Sequence, residues 1–278
     1  MKKLLVVLIA LPALFASSAS GSVTIGQLAP GNPPDTNCSG PRDLVMPTVS
    51  SGNSYVVHGN GVITSWSHNA AAPDGQTLGF KVFRHLGGAE FTAVAHNGPR
   101  ALAPGTLNTF PVNIPVKSGD IIGLNSGNNA SATRACEFDG PDRYFQYFGD
   151  LPDGQPAAFD LSSPFYRLNI SAVFEPSNTF TLGQVNRNRK KGTATVTLDV
   201  PNAGEVTVAG KGVKGASAGA RSAKAVAAGE VSLKIKAKGN QLRKLNSTGK
   251  VTVKPTITYT PTGGATSSQK LKLKLRKS

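Results

Sequence analysis

Apolar and polar residues take turns along much of this chain, most clearly after residue 190. Ala194, Val196, Leu198 and Val200 interleave with Thr193, Thr195, Thr197 and Asp199, and Val206 and Val208 continue the pattern. Val231, Leu233, Ile235 and Ala237 interleave with Ser232, Lys234, Lys236 and Lys238. Val251, Val253, Ile257 and Tyr259 do so with Thr252, Lys254, Thr256 and Thr258, and Leu271, Leu273 and Leu275 with Lys272, Lys274 and Arg276. A period of two puts each apolar set on one face of a strand. Turn chemistry separates the runs, at Pro201-Asn202-Ala203-Gly204 and Pro261-Thr262-Gly263-Gly264. With Phe180 to Val185 counted, about seven one-sided strands predict two antiparallel sheets packed face to face. Gln241 to Leu245 predicts a short helical crossover.

Earlier in the chain, Val62–Ser67, Leu78–Arg84, Phe91–Ala95, Phe110–Val116, Ile121–Leu124 and Phe165–Phe174 read as strands between Gly, Pro and Asn segments. Lys117-Ser118-Gly119-Asp120 supplies a tight turn between two of them. Val173-Phe174-Glu175-Pro176-Ser177-Asn178 has linker chemistry after a strand, so the expected organisation is a leader over 1–21, a sandwich over 22–177 and a second sandwich over 178–278. The fold class predicted is all-β.

The second segment resembles the immunoglobulin-like domains of secreted and surface-attached bacterial proteins. Pro115 to Leu124 and Arg167 to Phe174 look like segments of jelly-roll sandwiches in exported bacterial proteins. The whole chain resembles a group of secreted actinobacterial-type proteins that join such a sandwich to a Lys-rich immunoglobulin-like tail. The resemblance implies a fold and a location, and no activity.

The compartment is read at the N-terminus. Lys2 and Lys3 precede the apolar run Leu4 to Leu11, with Leu14 and Phe15 after Pro12, and small residues fill Ala16 to Gly21. These are the three parts of a secretory signal, with cleavage expected between Ser17 and Ser22. The run is too short to span a bilayer, and no later stretch approaches about 18 apolar residues. Export favours oxidised thiols, so the only two cysteines, Cys38 and Cys136, are expected to form a disulfide.

Composition narrows the classes. The chain is 39% hydrophobic and 16% charged, with 31 Gly and 19 Pro, which excludes a coiled coil and a helical bundle. Two cysteines exclude an ordinary four-ligand zinc cage. Charge is divided unevenly: residues 22–177 hold 8 Lys+Arg against 12 Asp+Glu, and residues 178–278 hold 20 against 3. A positive surface of that kind attracts anionic wall polymers, acidic glycans or lipid head groups. Its candidate contacts are Arg187, Arg189, Lys190, Lys191, Lys234, Lys236, Lys272 and Lys274. The bland counterpart is that these side chains solubilise the sandwich and guard an edge strand, Lys272 to Lys277. No aromatic interleaving or recognition helix points to nucleic acid.

Other chemistry is sparse. His58, His68, His85 and His96 show no metal-ligand spacing, although a sheet can assemble distant ligands. No Gly-x-Ser-x-Gly elbow occurs. Gly210-Lys211-Gly212-Val213-Lys214-Gly215 matches a dinucleotide pattern, but one-sided strands around it contradict the parallel sheet such a site needs. Residues 137–154 are the densest cluster, with Glu137, Asp139, Asp142, Asp150 and Asp153 among Tyr144, Phe145, Tyr147 and Phe148. Carboxylates on turns can hold Ca²⁺, and aromatic faces stack on sugar rings. Tyr144, Phe145, Tyr147, Phe148, Asp142 and Asp150 are therefore the candidate ligand contacts, with carbohydrate the expected ligand. In a strand, Tyr144 and Phe148 face one way and Phe145 and Tyr147 the other, so at least one pair is expected in the core. Asn129, Asn169 and Asn246 begin glycosylation sequons. The expectation is a secreted, non-enzymatic binding and adhesion protein. The alternative is an exported hydrolase with a His/Asp site in the first sandwich.

Overall fold

Alternation becomes strand wherever it is long enough to bury one face, and the chain is nearly all β, with one short helix. The computed structural model describes residues 21–31, 38, 40–127, 135–162, 164–214, 223–225 and 228–278. Residues 1–20 of the expected leader, the Asn129 sequon and most of the Ala-rich stretch after Lys214 lie outside them. In chain order the first part contains β1 (Val23–Gln27), β2 (Arg42–Val45), β3 (Gly61–Asn69), β4 (Thr77–Gly87), β5 (Glu90–Ala101), β6 (Leu107–Val116) and β7 (Asp120–Asn125). There follow β8 (Glu137–Asp139), β9 (Phe145–Phe148), β10 (Pro156–Ala158), β11 (Asp160–Leu161), β12 (Tyr166–Leu168) and β13 (Ile170–Pro176). A four-stranded sheet, β1-β13-β3-β6, faces a seven-stranded sheet, β10-β5-β4-β7-β2-β9-β11, and every ladder is antiparallel.

One core cluster fills this sandwich, with Trp66, Phe80, Ile63, Ile122 and Leu124 among its fully buried side chains. The seven-stranded sheet is covered on both faces. All six residues of β7 are buried, as is the run Leu78–Phe83 of β4. The second covering layer is aromatic: Phe159 meets Phe83 and Phe91 edge to face and Tyr147 at a tilt, at ring separations of 5.6, 5.1 and 5.6 Å. The Cys38–Cys136 disulfide forms, with Cα atoms 6.0 Å apart and both cysteines buried. It closes a sequence separation of 98 residues, which in the loop-entropy account stabilises the fold by about 4–5 kcal/mol.

The second part contains β14 (Thr181–Asn188), β15 (Thr193–Val200), β16 (Gly204–Ala209), β17 (Val213–Lys214), β18 (Ala223–Ala225), β19 (Gly229–Ala237) and α1 (Gly239–Thr248). It closes with β20 (Lys250–Val253), β21 (Thr256–Pro261), β22 (Ser267–Lys270) and β23 (Leu273–Arg276). Its sheets run β14-β15-β19-β17, β18-β16-β21-β22 and β20-β23. A separate core cluster lies between them, built from the predicted inward set: Ala194, Val196, Leu198, Val206, Leu233, Ile235, Val251, Ile257, Tyr259 and Leu275 among others. Pro255 interrupts the run from Val251 to Tyr259 because it has no N–H for the ladder, and the chain passes there from β20 to β21. The expected crossover is α1, which turns Leu245 into the core and ends at Gly249 in the left-handed region, φ 64°. After Gly212 the chain enters β17, not a helix, so the glycines of 210–212 shape a turn.

The two parts meet through a reciprocal pair of asparagines. The Asn60 backbone N–H donates to Asn202 Oδ1 at 2.5 Å, and Asn202 Nδ2 donates back to Asn60 O at 2.8 Å and to Ser177 O at 2.9 Å. Asn60 Nδ2 donates to Pro201 O, while the Tyr259 hydroxyl donates to Asn202 O.

Candidate functional site

Two surfaces were expected to carry function: the acidic–aromatic segment and the basic tail. The structure treats them differently.

The acidic–aromatic segment is mostly consumed by packing. Tyr144 is buried, and its backbone N–H donates to Ser162 Oγ. Burial, and next the hydrogen bond with the Glu137 carboxylate, push its phenol well above the usual range. Phe145 and Tyr147 are half-buried on the face of β9 turned to the outer aromatic layer, with Phe145 5.3 Å from the Phe91 ring and Tyr147 5.6 Å from Phe159. Tyr144, Phe145 and Tyr147 therefore do not form the sugar-stacking face expected of them, because the aromatic layer outside the seven-stranded sheet needs their surface. Phe148 alone of the four stays open, 64% exposed, with the Arg42 guanidinium 6.0 Å from its ring centre.

The carboxylates are likewise engaged. Asp142 Oδ2 accepts from Arg167 Nε at 2.6 Å, and its Oδ1 from Ser50 N at 2.8 Å. Desolvation pushes this carboxyl up, but the Arg167 and Ser50 bonds outweigh it and hold the group below its ordinary value. Asp150 pairs with Lys81 at 2.6 Å and Asp153 with His96 Nδ1 at 2.8 Å. Two of the five carboxylates considered for Ca²⁺ thus face protein cations, and a third, Asp153, is held by the His96 ring. Among the described residues, no group of three or more His, Cys, Asp or Glu is placed to hold a metal ion. The histidines are dispersed: His68 is buried with Nδ1 against Asn169 O, His85 lies on Phe91, and His58 is exposed.

Sequence reasoning missed the charge at the centre of this region. Lys81 on β4 is buried, and its ammonium donates to Asp43 Oδ2 at 2.8 Å, Asp150 Oδ1 at 2.6 Å and Leu151 O at 2.7 Å. Asp43 on β2 is fully buried and also accepts from Asn125 Nδ2 and Leu151 N. Burial pushes the Asp43 carboxyl up against the pull of these partners, Lys81 foremost. Three protons meet three acceptors, so Lys81 works as a pin fastening the Asp150–Leu151 segment over the sheet. A second missed residue is Phe165, 68% exposed and held at φ 81°, where bulky side chains are rarely found.

The tail keeps its cations in solvent. Arg187, Arg189, Lys190, Lys191, Lys234, Lys236, Lys272 and Lys274 are all exposed, and among the described residues none forms an ion pair. Register divides them into two groups. Lys234 and Lys236 project from the outer face of β19 opposite Thr195 and Thr193, with Lys214 of β17 beside Lys236. Lys272 and Lys274 belong instead to the β20–β23 ribbon, where Lys250 faces Arg276 and Thr252 faces Lys274. The turn after β14 lies alongside that ribbon: Arg187 Nε donates to Lys274 O at 3.2 Å, and Ser278 N to Arg189 O at 3.2 Å. β23 pairs only with β20, so the Lys272 to Lys277 segment does run along a sheet edge, as the bland reading expected, with the Arg187 side chain bonded to one of its carbonyls.

The acids take the opposite end. Val200 pairs with Gly229 and Gly204 with Pro261 beside the Asn60–Asn202 contact, and Asp199 faces Glu230 there, with Glu205 on the adjoining start of β16. Thr193, Lys236, Gly249 and Lys277 lie at the far end. Compared with known proteins, the chain matches no protein-family model and no curated protein sequence. No helix among the described residues is long and apolar enough to cross a membrane.

Proposed function

We propose that this is a secreted, non-enzymatic binding and adhesion protein whose basic second sandwich holds it to an anionic cell envelope while the first contacts a ligand. One observation carries the reading: among the described residues the tail's eight exposed candidate cations have no ion-pair partner, and its acids are confined to the end beside the first sandwich. Broad unpaired positive surface gains little for the fold and much for contact with a polyanion. Export is supported by the Lys2–Gly21 pattern and by the disulfide, which persists in oxidising compartments. For the first sandwich, the exposed rings of Phe148 and Phe165 support carbohydrate as the ligand class.

The full mature chain should sediment with purified cell walls at low salt and be released as salt rises, because exposed charges are screened. Retention indifferent to salt would overturn the adhesion reading. On a glycan array, Phe148→Ala should abolish signals that the parent shows. The hydrolase alternative rests on the His96–Asp153 pair, and its signature would be turnover of a wall substrate lost on His96→Ala.

A further inference from the structure

The ribbon formed by β20 and β23 differs from the charged outer face of β19. Val251, Val253, Leu273 and Leu275 are buried, so the residues between them all point outward. That outer face carries Lys250, Thr252, Lys274 and Arg276, and the same alternation extends it to Lys272 and Lys254, both exposed. Along β23 the cations recur every second residue, a step of about 7 Å. Thr252 contributes a hydroxyl, and no acid interrupts the row. Arg189, Lys190 and Lys191 continue it past the C-terminus, where Ser278 N bonds Arg189 O.

The outer face of β19 makes a useful contrast. There Lys234 and Lys236 alternate across the sheet with Thr195 and Thr193, and the row runs toward Ser232 and the facing pair Glu230–Asp199. A long polyanion laid on that face would meet like charge. On the ribbon it would not.

We propose that the outer face of β20–β23, continued by the turn at Arg189–Lys191, is a strip that binds a linear phosphodiester polymer lying along β23. This rests on the adhesion reading above and deepens it to a ligand class. The chemistry favours phosphodiesters for two reasons. Lys ammonium groups are compact point charges that suit the tetrahedral array of phosphate oxygens, and Arg276 and Arg189 add forked donors. A flexible backbone with one anion per repeat can also adjust its phosphates to a ladder of about 7 Å, the spacing of alternate residues in a strand. A ring-stiffened uronate chain fixes its own carboxylate spacing and direction.

The test titrates the mature full-length protein with a synthetic poly(glycerol phosphate) oligomer over a salt series, with polygalacturonate in parallel. Two triple variants remove equal charge: Lys272→Ala/Lys274→Ala/Arg276→Ala from the strip, and Lys214→Ala/Lys234→Ala/Lys236→Ala from the other face. All six side chains are exposed, so both variants should keep the fold. The strip variant should bind poly(glycerol phosphate) about tenfold or more weakly at low salt, with the slope of log K against log salt reduced by roughly 2–3 for three lost phosphate contacts. The control variant should change affinity by less than about threefold. Equal weakening by both triples would mean that net charge alone acts, and would overturn the strip while leaving adhesion standing. Tighter binding of polygalacturonate would overturn the ligand class. Failure to bind either polymer, together with salt-indifferent wall retention, would remove the adhesion reading itself.

Discussion

Lys81 sits in the middle of a sheet where water does not reach, and its three acceptors share the task of keeping it there. Lys81→Met should cost about 3–5 kcal/mol at neutral pH, because it strands the Asp43 charge in the interior. The loss should shrink in acid. Without Lys81, the Asp43 carboxyl rises further above 3.8, and its penalty disappears as pH falls through that raised value and the group becomes neutral. Urea unfolding at neutral and acid pH checks both the size and the direction. Asp142 has the opposite sign: its carboxyl is lowered, so its contribution is complete above 3.8 and fades as pH drops through its folded value. Asp142→Asn should destabilise by about 1–3 kcal/mol at neutral pH, and the gap to the parent should close below that carboxylate range. Neither role was legible in the sequence. Lys81 reads as an ordinary outward residue of an alternating strand, and its partner Asp43 lies 38 residues away, with no local spacing to connect them.

At the level of elements, length decided what could be read. β15 and β19 repeat their pattern over eight and nine residues, enough for alternation to specify a face, and the tail's inward set emerged as expected. β8 to β11 are two to four residues each, embedded among Gly, Pro and Asp, and so short a run has no recognisable period. The burial of β7 on both faces was hidden for another reason: the aromatic layer over it comes from residues far along the chain, such as Phe159. Gly123 records the resulting crowding. A Cβ there would lie 2.2 Å from Leu44 O and 2.9 Å from the Phe83 ring. Gly123→Ala should therefore cost about 3 kcal/mol or more, lowering Tm by roughly 6–12 °C. An unchanged thermal scan would show that β2 and β7 can part without penalty.

Across the whole molecule, the uneven charge was plain from composition, but the joint between the two cores was not. Asn60 and Asn202 stand 142 positions apart, each in an unremarkable turn, and only folding shows that each satisfies the other. A double-mutant cycle with Asn60→Ala and Asn202→Ala should give a coupling energy of about 0.5–3 kcal/mol in thermal unfolding. Additive losses would mean that the two asparagines act independently. With that joint intact, the first sandwich inherits whatever orientation the tail adopts.

The tail carries its three acids beside the joint and Arg189, Lys190, Lys191 and Lys277 at its far tip. Such a distribution is an electric dipole, and near a negative boundary it experiences a torque as well as an attraction. The torque acts before any contact and within roughly a Debye length, about 8 Å at physiological ionic strength. The molecule would arrive tip first, with Phe148 and Phe165 carried on the part still facing the open medium. Dilute salt would sharpen that alignment and concentrated salt would let the molecule tumble, so on the adhesion proposal one charge asymmetry would govern both whether it lands and which way up.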